Sequence, residues 1–453
     1  MSFSIVLVES HYRSRSWFLA LNKIGLTHII SVMPEELRLF IKQGFPKKNI
    51  LNLYFKYEDK YIENTSIDYY EKFLNIKLNA IICMDRTLRK KNSLYIKAYL
   101  SFLLIKIDSF FKKIKPKIIF IEPTWTHEIL ICKFAQKYNA HIVSPVKDKL
   151  LPNRFMAFKD ENHLKFYKNR NSEDTGILAE KAINTVINNK PVQYFKKFNN
   201  RNKIDIQKIP KLYRLIKLSF LNNRNPNIQG SVFRDIFVKL NSIIRSQFQI
   251  IFVNFKKLSN ISNKYILITL HVQPEASIDV VGTKFDNQIE FIKNIVKTIP
   301  NDYTILVKEH SHAIGNRSTC FYKNLNNLPN VMLLHPNESS RDAIKNAKLV
   351  ISNTGTSSLE ASILNIPAIT ATKMFYYKLM LKECFNPLEE NTGELLKKTK
   401  KINKEEIIEQ MKSIYEGSFN GNCGDFQTDG TVLHESNIEN LRLSFQTIVR
   451  SIK

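Results

Sequence analysis

Cysteine pairs, glycine and long apolar runs are scarce in this 453-residue sequence. Five cysteines without a Cys-x-x-Cys pair argue against a disulfide framework and a cysteine zinc site. With only 12 glycines, the chain shows no GxGxxG or Walker fingerprint for phosphate binding. No segment approaches the roughly 18 apolar residues of a membrane-spanning helix, and Met1 leads directly into a strand pattern instead of a secretory leader. We therefore expect a soluble cytoplasmic protein.

Acidic residues are also few, and the deficit is uneven along the chain. The sequence has 41 acidic against 68 basic residues, a net charge of +27, and the first 263 residues carry +26 of it. Such an excess predicts an anionic partner: a membrane surface in peripheral contact, such as the inner face of the inner membrane, an acidic glycan or a nucleic acid. The candidate basic clusters are Arg86 with Arg89, Lys90 and Lys91; Lys112 with Lys113, Lys115 and Lys117; and Lys196 with Lys197.

What the sequence does contain is a repeated alternation of short apolar runs with longer amphipathic ones. The predicted strands are Phe3–Val8, His28–Val32, Ile50–Phe55, Ala80–Met84 and Lys117–Ile121, then Tyr265–Leu270, Tyr303–Lys308, Asn330–Leu334, Leu349–Ser352 and Ala368–Ala371. This β-α alternation is typical of parallel sheets covered by helices on both faces. We predict an α/β protein with two Rossmann-like doubly wound domains facing across a cleft, the architecture of B-type glycosyltransferases and their relatives.

The predicted organisation has four consecutive segments. They are an N-terminal Rossmann-like domain (1–158), a basic helical region with the inter-domain connection (159–263), a C-terminal Rossmann-like domain (264–430) and a C-terminal helix (431–453). Strand signals are few in the second segment, which explains its assignment to helices and connection.

Polar residues follow three predicted strands of the second half. In doubly wound sheets ligands bind at the carboxyl ends of strands, so these residues should converge on one rim. The candidate donor-binding residues are His271, Gln273, Lys308, His310, Arg317, Thr354, Gly355, Thr356, Ser357, Ser358 and Glu360. Gly355 permits a tight turn before a helix whose N-terminus favours phosphate, and Glu360 could accept hydrogen bonds from a ribose diol. An ordinary helix cap is the alternative interpretation of this turn.

Cations and imidazoles near the same rim suit a phosphate leaving group. Lys308 and Arg317 could neutralise phosphate charge, and His310 could donate a hydrogen bond to a phosphoryl oxygen. A chain with such groups needs no metal, and we expect neither a metal site nor another cofactor.

Candidate catalytic residues lie at strand ends on both halves. Glu9 and His11 follow the first strand, and Glu122 and His127 follow the strand Lys117–Ile121. Carboxylates and imidazoles there could activate an acceptor hydroxyl. Glu275, in the loop after the strand Tyr265–Leu270, could contact the transferred sugar.

The second half resembles a known family. The segments His271–Ser277, Val307–His310 and Thr354–Ala368 are similar to those of bacterial capsule and surface polysaccharide biosynthesis proteins, which include the capsule β-Kdo transferases. A weaker similarity appears at Glu122–His127 and Pro152–Phe155. Ser311 stands where the family usually has proline.

The resemblance implies a B-type fold with donor nucleotide on the C-terminal domain and acceptor on the N-terminal one. It places Lys308 and His310 near donor phosphate, and Ser357 or Ser358 with Glu360 at the nucleotide. It also implies a surface-glycan, capsular or lipid-linked acceptor and a nucleotide-sugar donor, CMP-linked and Kdo-like in the capsule group.

Two other functions remain open from the sequence. A UDP-sugar 2-epimerase has the same two-domain fold and a similar glycine–serine–glutamate turn, but does not require such uneven charge. A basic nucleic-acid-binding protein would explain the charge, yet the chain has no recognised reader motif and we expect no nucleic-acid partner. The leading hypothesis is a nucleotide-sugar-dependent glycosyltransferase.

Overall fold

The computed structural model of the protein describes residues 4–57, 67–169, 174–188, 232–262, 264–310, 313–398 and 402–452. These residues form two compact units, each described by itself below. Unit 1 contains residues up to 169 and returns with residues 416–452, whereas unit 2 contains residues 174–188 and 234–415. The chain therefore leaves unit 1, builds unit 2 and then comes back, which differs from the consecutive segments expected from the sequence.

Unit 1 is built on a seven-stranded sheet. Its strands are β1 (Ile5–Glu9), β2 (His28–Ser31), β3 (Ile50–Asn52), β4 (Ile118–Phe120), β5 (His141–Lys147), β6 (Arg154–Phe158) and, from the end of the chain, Ser418–Asn420. The first five are parallel in the order β3-β2-β1-β4-β5, which is the Rossmann order. β6 and Ser418–Asn420 extend the sheet antiparallel.

Helices cover this sheet, because packing their apolar side chains against the apolar strands removes both from water. The helices are α1 (Ser14–Asn22), α2 (Pro34–Lys42), α3 (Ile67–Leu74), α4 (Leu78–Met84), α5 (Ser93–Ile114) and α6 (Thr126–Lys137), with the last helix of the chain, Glu435–Ile452, added to them. The core unites residues from both ends of the sequence: Phe120 of β4 lies 4.9 Å from Phe445, measured between ring centroids. Asn92 caps α5 by accepting from the Tyr95 amide.

Unit 2 contains a six-stranded, fully parallel sheet. Its strands are β7 (Phe255–Lys256), β8 (Lys264–Thr269), β9 (Tyr303–Lys308), β10 (Val331–Leu334), β11 (Leu349–Ser352) and β12 (Ala368–Thr370), with Ser418–Asn420 of unit 1 following as β13. The order is β12-β11-β8-β9-β10-β7. Apart from the edge strand β7, this is again the Rossmann order, so the predicted pair of Rossmann-like sheets is confirmed. The predicted cleft between the domains stays a prediction.

The helices of unit 2 begin mostly at polar caps. They are α7 (Thr175–Ile187), α8 (Val232–Phe252), α9 (Gln288–Val296), α10 (Thr319–Asn326), α11 (Ser340–Lys345), α12 (Thr356–Ile363), α13 (Thr392–Lys397) and α14 (Lys404–Tyr415), and Glu435–Ile452 of unit 1 completes the series as α15. Asn287 and Ser318 accept hydrogen bonds from first-turn amides of α9 and α10. A five-residue π-helix, Ser277–Val281, follows β8.

One predicted strand is wrong. Ala80–Met84 belongs to the helix α4, of which only Leu78 and Ile81 are buried. A short apolar run does not distinguish a buried strand from a helix, and the i, i+3 spacing of these two buried residues is the helical one. The predictions for Ile50–Phe55 and Phe3–Val8 have the right type of structure but shifted ends.

The charge of the first 263 residues is not confined to unit 1. Helices α7 and α8 precede residue 263 in the sequence, yet α7 and the part of α8 from Arg234 onward belong to unit 2. Lys196 and Lys197 lie outside the described residues. Within the described ranges, none of the helices is both long and apolar enough to cross a membrane.

Candidate functional site

Each sheet has one topological switch point, where successive connections leave in opposite directions. In unit 1 it lies between β1 and β4, and in unit 2 between β8 and β11. Ligands of doubly wound proteins bind outside the carboxyl ends of the strands at such points. Most of the candidate residues chosen from the sequence follow these four strands or their neighbour β9.

The two strand ends of unit 2 contact each other through His271. Its Nε2 accepts a hydrogen bond from the Thr354 amide at 3.2 Å. Burial, with the charges of His310 and Arg317, lowers the pKa of His271 to about 4. The imidazole is therefore neutral, and its Nε2 is the acceptor while Nδ1 carries the proton. His271 thus joins the loops after β8 and β11.

Helix α12 begins where β11 ends, with Gly355 as its N-cap. Gly355 provides no side-chain acceptor, so the first-turn amides lack a side-chain cap within the described residues. Thr356 and Ser357 are half-buried there, and the Ser357 hydroxyl lies 2.6 Å from Thr269 Oγ1. Ser358 is instead buried, with its Oγ 2.8 Å from Ser352 Oγ. Thr356 and Ser357 are thus the accessible hydroxyls at this helix end.

Glu360 lies one turn into α12, beside Arg341 of α11. Arg341 Nε donates to Glu360 Oε2 across 3.4 Å, and the Glu360 side chain is 18% exposed. Burial raises the pKa of Glu360, although Arg341 opposes the shift. A half-buried carboxylate with one long hydrogen bond keeps acceptor capacity for a ligand hydroxyl.

Lys308 ends β9 with its ammonium buried. Lys308 Nζ donates to the Pro336 carbonyl at 2.8 Å, and only 4% of the residue is exposed. Burial lowers the pKa of Lys308 to about 8, although Glu309 and Glu338 oppose the shift. An ammonium has three donors, so the Pro336 carbonyl leaves donor capacity for a phosphate oxygen.

Arg317 forms a buried network with its neighbours at the end of β9. Arg317 Nε donates to Glu309 Oε2 at 2.6 Å, and its Nη2 donates to the His271 carbonyl. Tyr322 donates to the same Glu309 oxygen at 2.9 Å. Arg317 therefore joins the loops after β8 and β9, and its predicted role as a phosphate clamp stays a prediction. His310, next to Glu309, is half-buried.

Two other candidates, Gln273 and Glu275, lie in the loop between β8 and the π-helix, in different environments. Gln273 Nε2 donates to the Asp286 carbonyl at 3.0 Å, and Gln273 Oε1 accepts from Gln288 at 2.8 Å. Gln273 thus holds the loop in place. Glu275 is exposed on the same loop, and its predicted contact with the transferred sugar stays a prediction.

The switch point of unit 1 contains a histidine–carboxylate pair. His11 Nε2 lies 2.9 Å from Thr124 Oγ1 and 3.4 Å from Glu128 Oε1. Burial alone would lower the pKa of His11, but the Glu128 and Glu122 carboxylates outweigh it and raise the pKa. The paired imidazole conversely lowers the pKa of Glu128 to about 2, against the effect of burial. The His11 side chain keeps 27% of its surface exposed.

The other three candidates of unit 1 have different environments. Ser10 Oγ lies 2.7 Å from His127 Nε2, and both residues are buried; burial lowers the pKa of His127. Glu9 is fully buried, accepts from the Ser31 hydroxyl at 2.8 Å and has a raised pKa because of burial. Glu122 is half-buried and accepts from Arg13 at 2.5 Å. His11 and Glu122 are therefore the accessible members.

Sequence reasoning missed Glu128 and Glu309, which hold His11 and Arg317 respectively. Glu128 Oε2 accepts from the amides of Thr124 and Trp125, as an acidic residue in the first turn of a helix often does. The position of Glu128 in the first turn of α6 could have been recognised from the sequence. No sequence pattern predicted the pairing of Glu309 with Arg317. Within the ranges described, no group of three or more His, Cys, Asp or Glu residues could hold a metal ion.

Comparison with known proteins gives matches among solved structures only; no family model and no curated sequence matches. One similar structure is the β-Kdo 2,7 transferase of KpsC from Thermosulfurimonas dismutans, at 12% identity over 99% of each chain with a TM-score of 0.38. The β-Kdo 2,4 transferase of the same KpsC is similar at 10% identity over 72% of this chain and 87% of that chain, with a TM-score of 0.33.

A UDP-GlcNAc 2-epimerase from Methanocaldococcus jannaschii is similar at 16% identity over 100% of this chain and 99% of the other, with a TM-score of 0.24. The capsule β-Kdo transferases that the sequence resembles are thus among the structures found, together with epimerases. Identities and TM-scores this low carry no information on substrate.

Proposed function

We propose that this protein is a nucleotide-sugar-dependent glycosyltransferase that extends a surface glycan. The observation that carries the proposal is the rim at the switch point of unit 2, where an uncapped helix N-terminus and a half-buried carboxylate follow β11 and a buried ammonium ends β9, the strands on either side of β8. In this proposal the helix N-terminus binds the donor phosphate, the Lys308 ammonium stabilises the charge of the leaving group, and the Glu360 carboxylate accepts hydrogen bonds from the ribose diol. The family resemblance of the same segments supports the assignment.

The donor would be held by groups of one rim. Its phosphate would accept from the first-turn amides and hydroxyls of Thr356 and Ser357, and its ribose hydroxyls would donate to Glu360. Lys308 and His310 would stabilise negative charge that grows on the phosphate as the sugar leaves. The resemblance favours a CMP-linked, Kdo-like donor, and a chain with these cations would need no metal.

The acceptor would bind at the switch point of unit 1. His11 is accessible there and is oriented by Thr124 and Glu128, which suits a general base that takes the proton of an acceptor hydroxyl. The uneven positive charge suits an anionic or lipid-linked glycan. In this proposal, Glu128 is a positioning residue and His11 is the catalytic one.

Replacing Glu360 with glutamine tests the donor site. The variant keeps the size of the side chain but removes the charged acceptor, so nucleotide binding should weaken by about 1–3 kcal/mol. Isothermal titration with CMP and UDP, after thermal-shift screening of CMP- and UDP-sugars, measures it. Glu290→Gln is the matched control, because Glu290 also lies on a helix of unit 2 and also pairs with a basic residue, Lys293.

Each outcome of that screen distinguishes a function. Stabilisation by a nucleotide that Glu360→Gln weakens and Glu290→Gln does not supports the donor site. Conversion of UDP-GlcNAc to its 2-epimer without an acceptor would identify an epimerase instead. Absence of any nucleotide effect on melting would refute the proposal.

Replacing Glu128 with glutamine tests the base. His11 acts as a base only when neutral, so activity should rise with pH through the raised pKa of His11, above its ordinary 6.5. Glu128→Gln removes the anion that raises this pKa, and the acidic limb of kcat/KM should move to lower pH. A pH–rate profile of both proteins measures the shift.

The control for this profile is Glu161→Gln, which alters another carboxylate of unit 1 that pairs with a cation, here Lys133 at 2.6 Å. Its acidic limb should coincide with that of the original protein. An unmoved limb in Glu128→Gln would remove His11 from the role of base.

A further inference from the structure

Helix α8 presents apolar side chains to solvent along most of its length. Eight of the 17 exposed large hydrophobic residues in the described part of the protein lie on it: Phe237, Val238, Leu240, Ile243, Ile244, Phe248, Ile251 and Phe252. Ile244 is 69% exposed and Ile251 is 73% exposed. At 100° per residue, the stripe Phe237–Leu240–Ile244–Phe248–Ile251 forms one continuous face. We call these five residues the apolar face of α8.

The same helix attaches to unit 2 by polar side chains. Gln249 is fully buried; its Oε1 accepts from the Gly315 amide at 2.9 Å, and its Nε2 donates to the Arg317 carbonyl at 2.8 Å. Ser242 Oγ donates to Asn316 Oδ1 at 2.8 Å. A helix on a soluble surface normally buries its apolar stripe and exposes its polar side. In α8 this arrangement is reversed.

Gly315 shows that the attachment is a close one. It has a φ of +83°, and a Cβ added there would lie 2.0 Å from the Ser242 carbonyl oxygen. Only glycine therefore permits the helix to approach the loop at this point. These contacts fix the orientation of α8 on unit 2, and in that orientation its apolar face points to solvent.

The charge around the apolar face indicates its partner. No acidic residue occurs from Ile236 to Pro274, whereas Lys239 and Arg245 lie on α8 itself and Lys256 and Lys257 follow it closely in the sequence. The preceding residues 189–231 add ten basic residues and one acidic residue in the sequence. A second copy of this chain, or that preceding segment, would bring more positive charge to the face. An anionic lipid surface brings the opposite charge.

We propose that α8 is an interfacial helix that docks the protein on an anionic bilayer by inserting its apolar face. The helix lies in the plane of such a surface, with the apolar arc among the acyl chains and Lys239 and Arg245 near headgroup phosphates. This proposal is independent of the proposed function, because it uses no residue of the nucleotide or acceptor sites and its test involves neither sugar nor nucleotide.

The first test is vesicle co-sedimentation of the full chain. We expect binding to phosphatidylcholine vesicles that contain phosphatidylglycerol and little binding to phosphatidylcholine alone. Rising salt should weaken binding, since charges are screened beyond about 10 Å at 0.1 M. The double variant Ile244→Ser with Phe248→Ser should bind at least about tenfold more weakly. It lacks two large apolar side chains whose transfer from water into the acyl region favours binding.

The matched control is Leu388→Ser in unit 2. Leu388 is 65% exposed but isolated from α8 in the sequence, so its replacement should leave vesicle binding unchanged. Circular dichroism and melting verify that each variant is folded. Equal binding by the double variant and the original protein would overturn the proposal, as would equal binding to neutral and anionic vesicles.

Fluorescence gives a second readout that does not depend on loss of binding. The protein has two tryptophans, Trp17 and Trp125, both buried in unit 1. In Phe248→Trp, emission should shift to the blue on addition of anionic vesicles and be quenched by brominated acyl chains. An unshifted spectrum, or a vesicle-independent dimer in light scattering that the double variant abolishes, would identify a different occupant and overturn the proposal.

Discussion

Replacing Arg317 with methionine should destabilise unit 2 by about 3–5 kcal/mol, since it leaves the buried Glu309 carboxylate without its cation. Arg317 is 7% and Glu309 2% exposed at the side chain, and their atoms lie 2.6 Å apart. The variant also removes the hydrogen bond to the His271 carbonyl. Thermal unfolding should show a loss of roughly 10 °C for a unit of this size.

A second variant separates lost pairing from lost packing. Burial already raises the pKa of Glu309, and the neutral acid is easier to leave without a cation. Arg317→Met combined with Glu309→Gln should therefore regain much of the stability. If Arg317→Met alone melts like the original protein, then the pair contributes little and Arg317 is available to a ligand.

Replacing Lys308 with methionine should lower kcat about 10²–10³-fold while acceptor KM changes little, because the ammonium acts on charge that develops in the transition state. Methionine fills a similar volume, and burial already lowers the pKa of Lys308 to about 8. The folded protein should therefore tolerate the change. Initial rates with a saturating nucleotide-sugar donor give the split between kcat and KM.

Lys323→Met is the control, because Lys323 is an exposed lysine of the same unit. It should leave kcat unchanged. Unchanged turnover in Lys308→Met would exclude Lys308 from stabilising the leaving group. A strict requirement for added Mg²⁺ in the original protein would also contradict this account of charge neutralisation.

Adjacent strand ends were predictable because the order of strands follows from β-α alternation. His271 and Thr354 are 83 residues apart, yet parallel pairing of β8 and β11 brings them within hydrogen-bond distance, as the predicted sheet requires. What the sequence did not show was the direction of each side chain. Lys308 donates to a buried carbonyl, and Arg317 pairs with Glu309, because burial selects partners that no local pattern encodes.

Two fold features were missed for different physical reasons. The segment Ala80–Met84 has apolar composition without a length or period that excludes a helix. The strand β13 has three residues and pairs with β6, more than 250 residues earlier. Such a pairing forms because the chain returns to unit 1 after unit 2. The residues around β13 have no local sequence pattern that predicts this return.

That return sets an order of assembly during synthesis. The ribosome releases β13 and α15 only after every residue of unit 2, whereas α15 supplies Leu441 and Phe445 to the core of unit 1. Domains usually fold from the N-terminus as they emerge. Here the later unit is complete first, and the nascent unit 1 waits with β6 as an open sheet edge and a core that lacks one helix. Its native packing is therefore delayed by the time needed to translate unit 2.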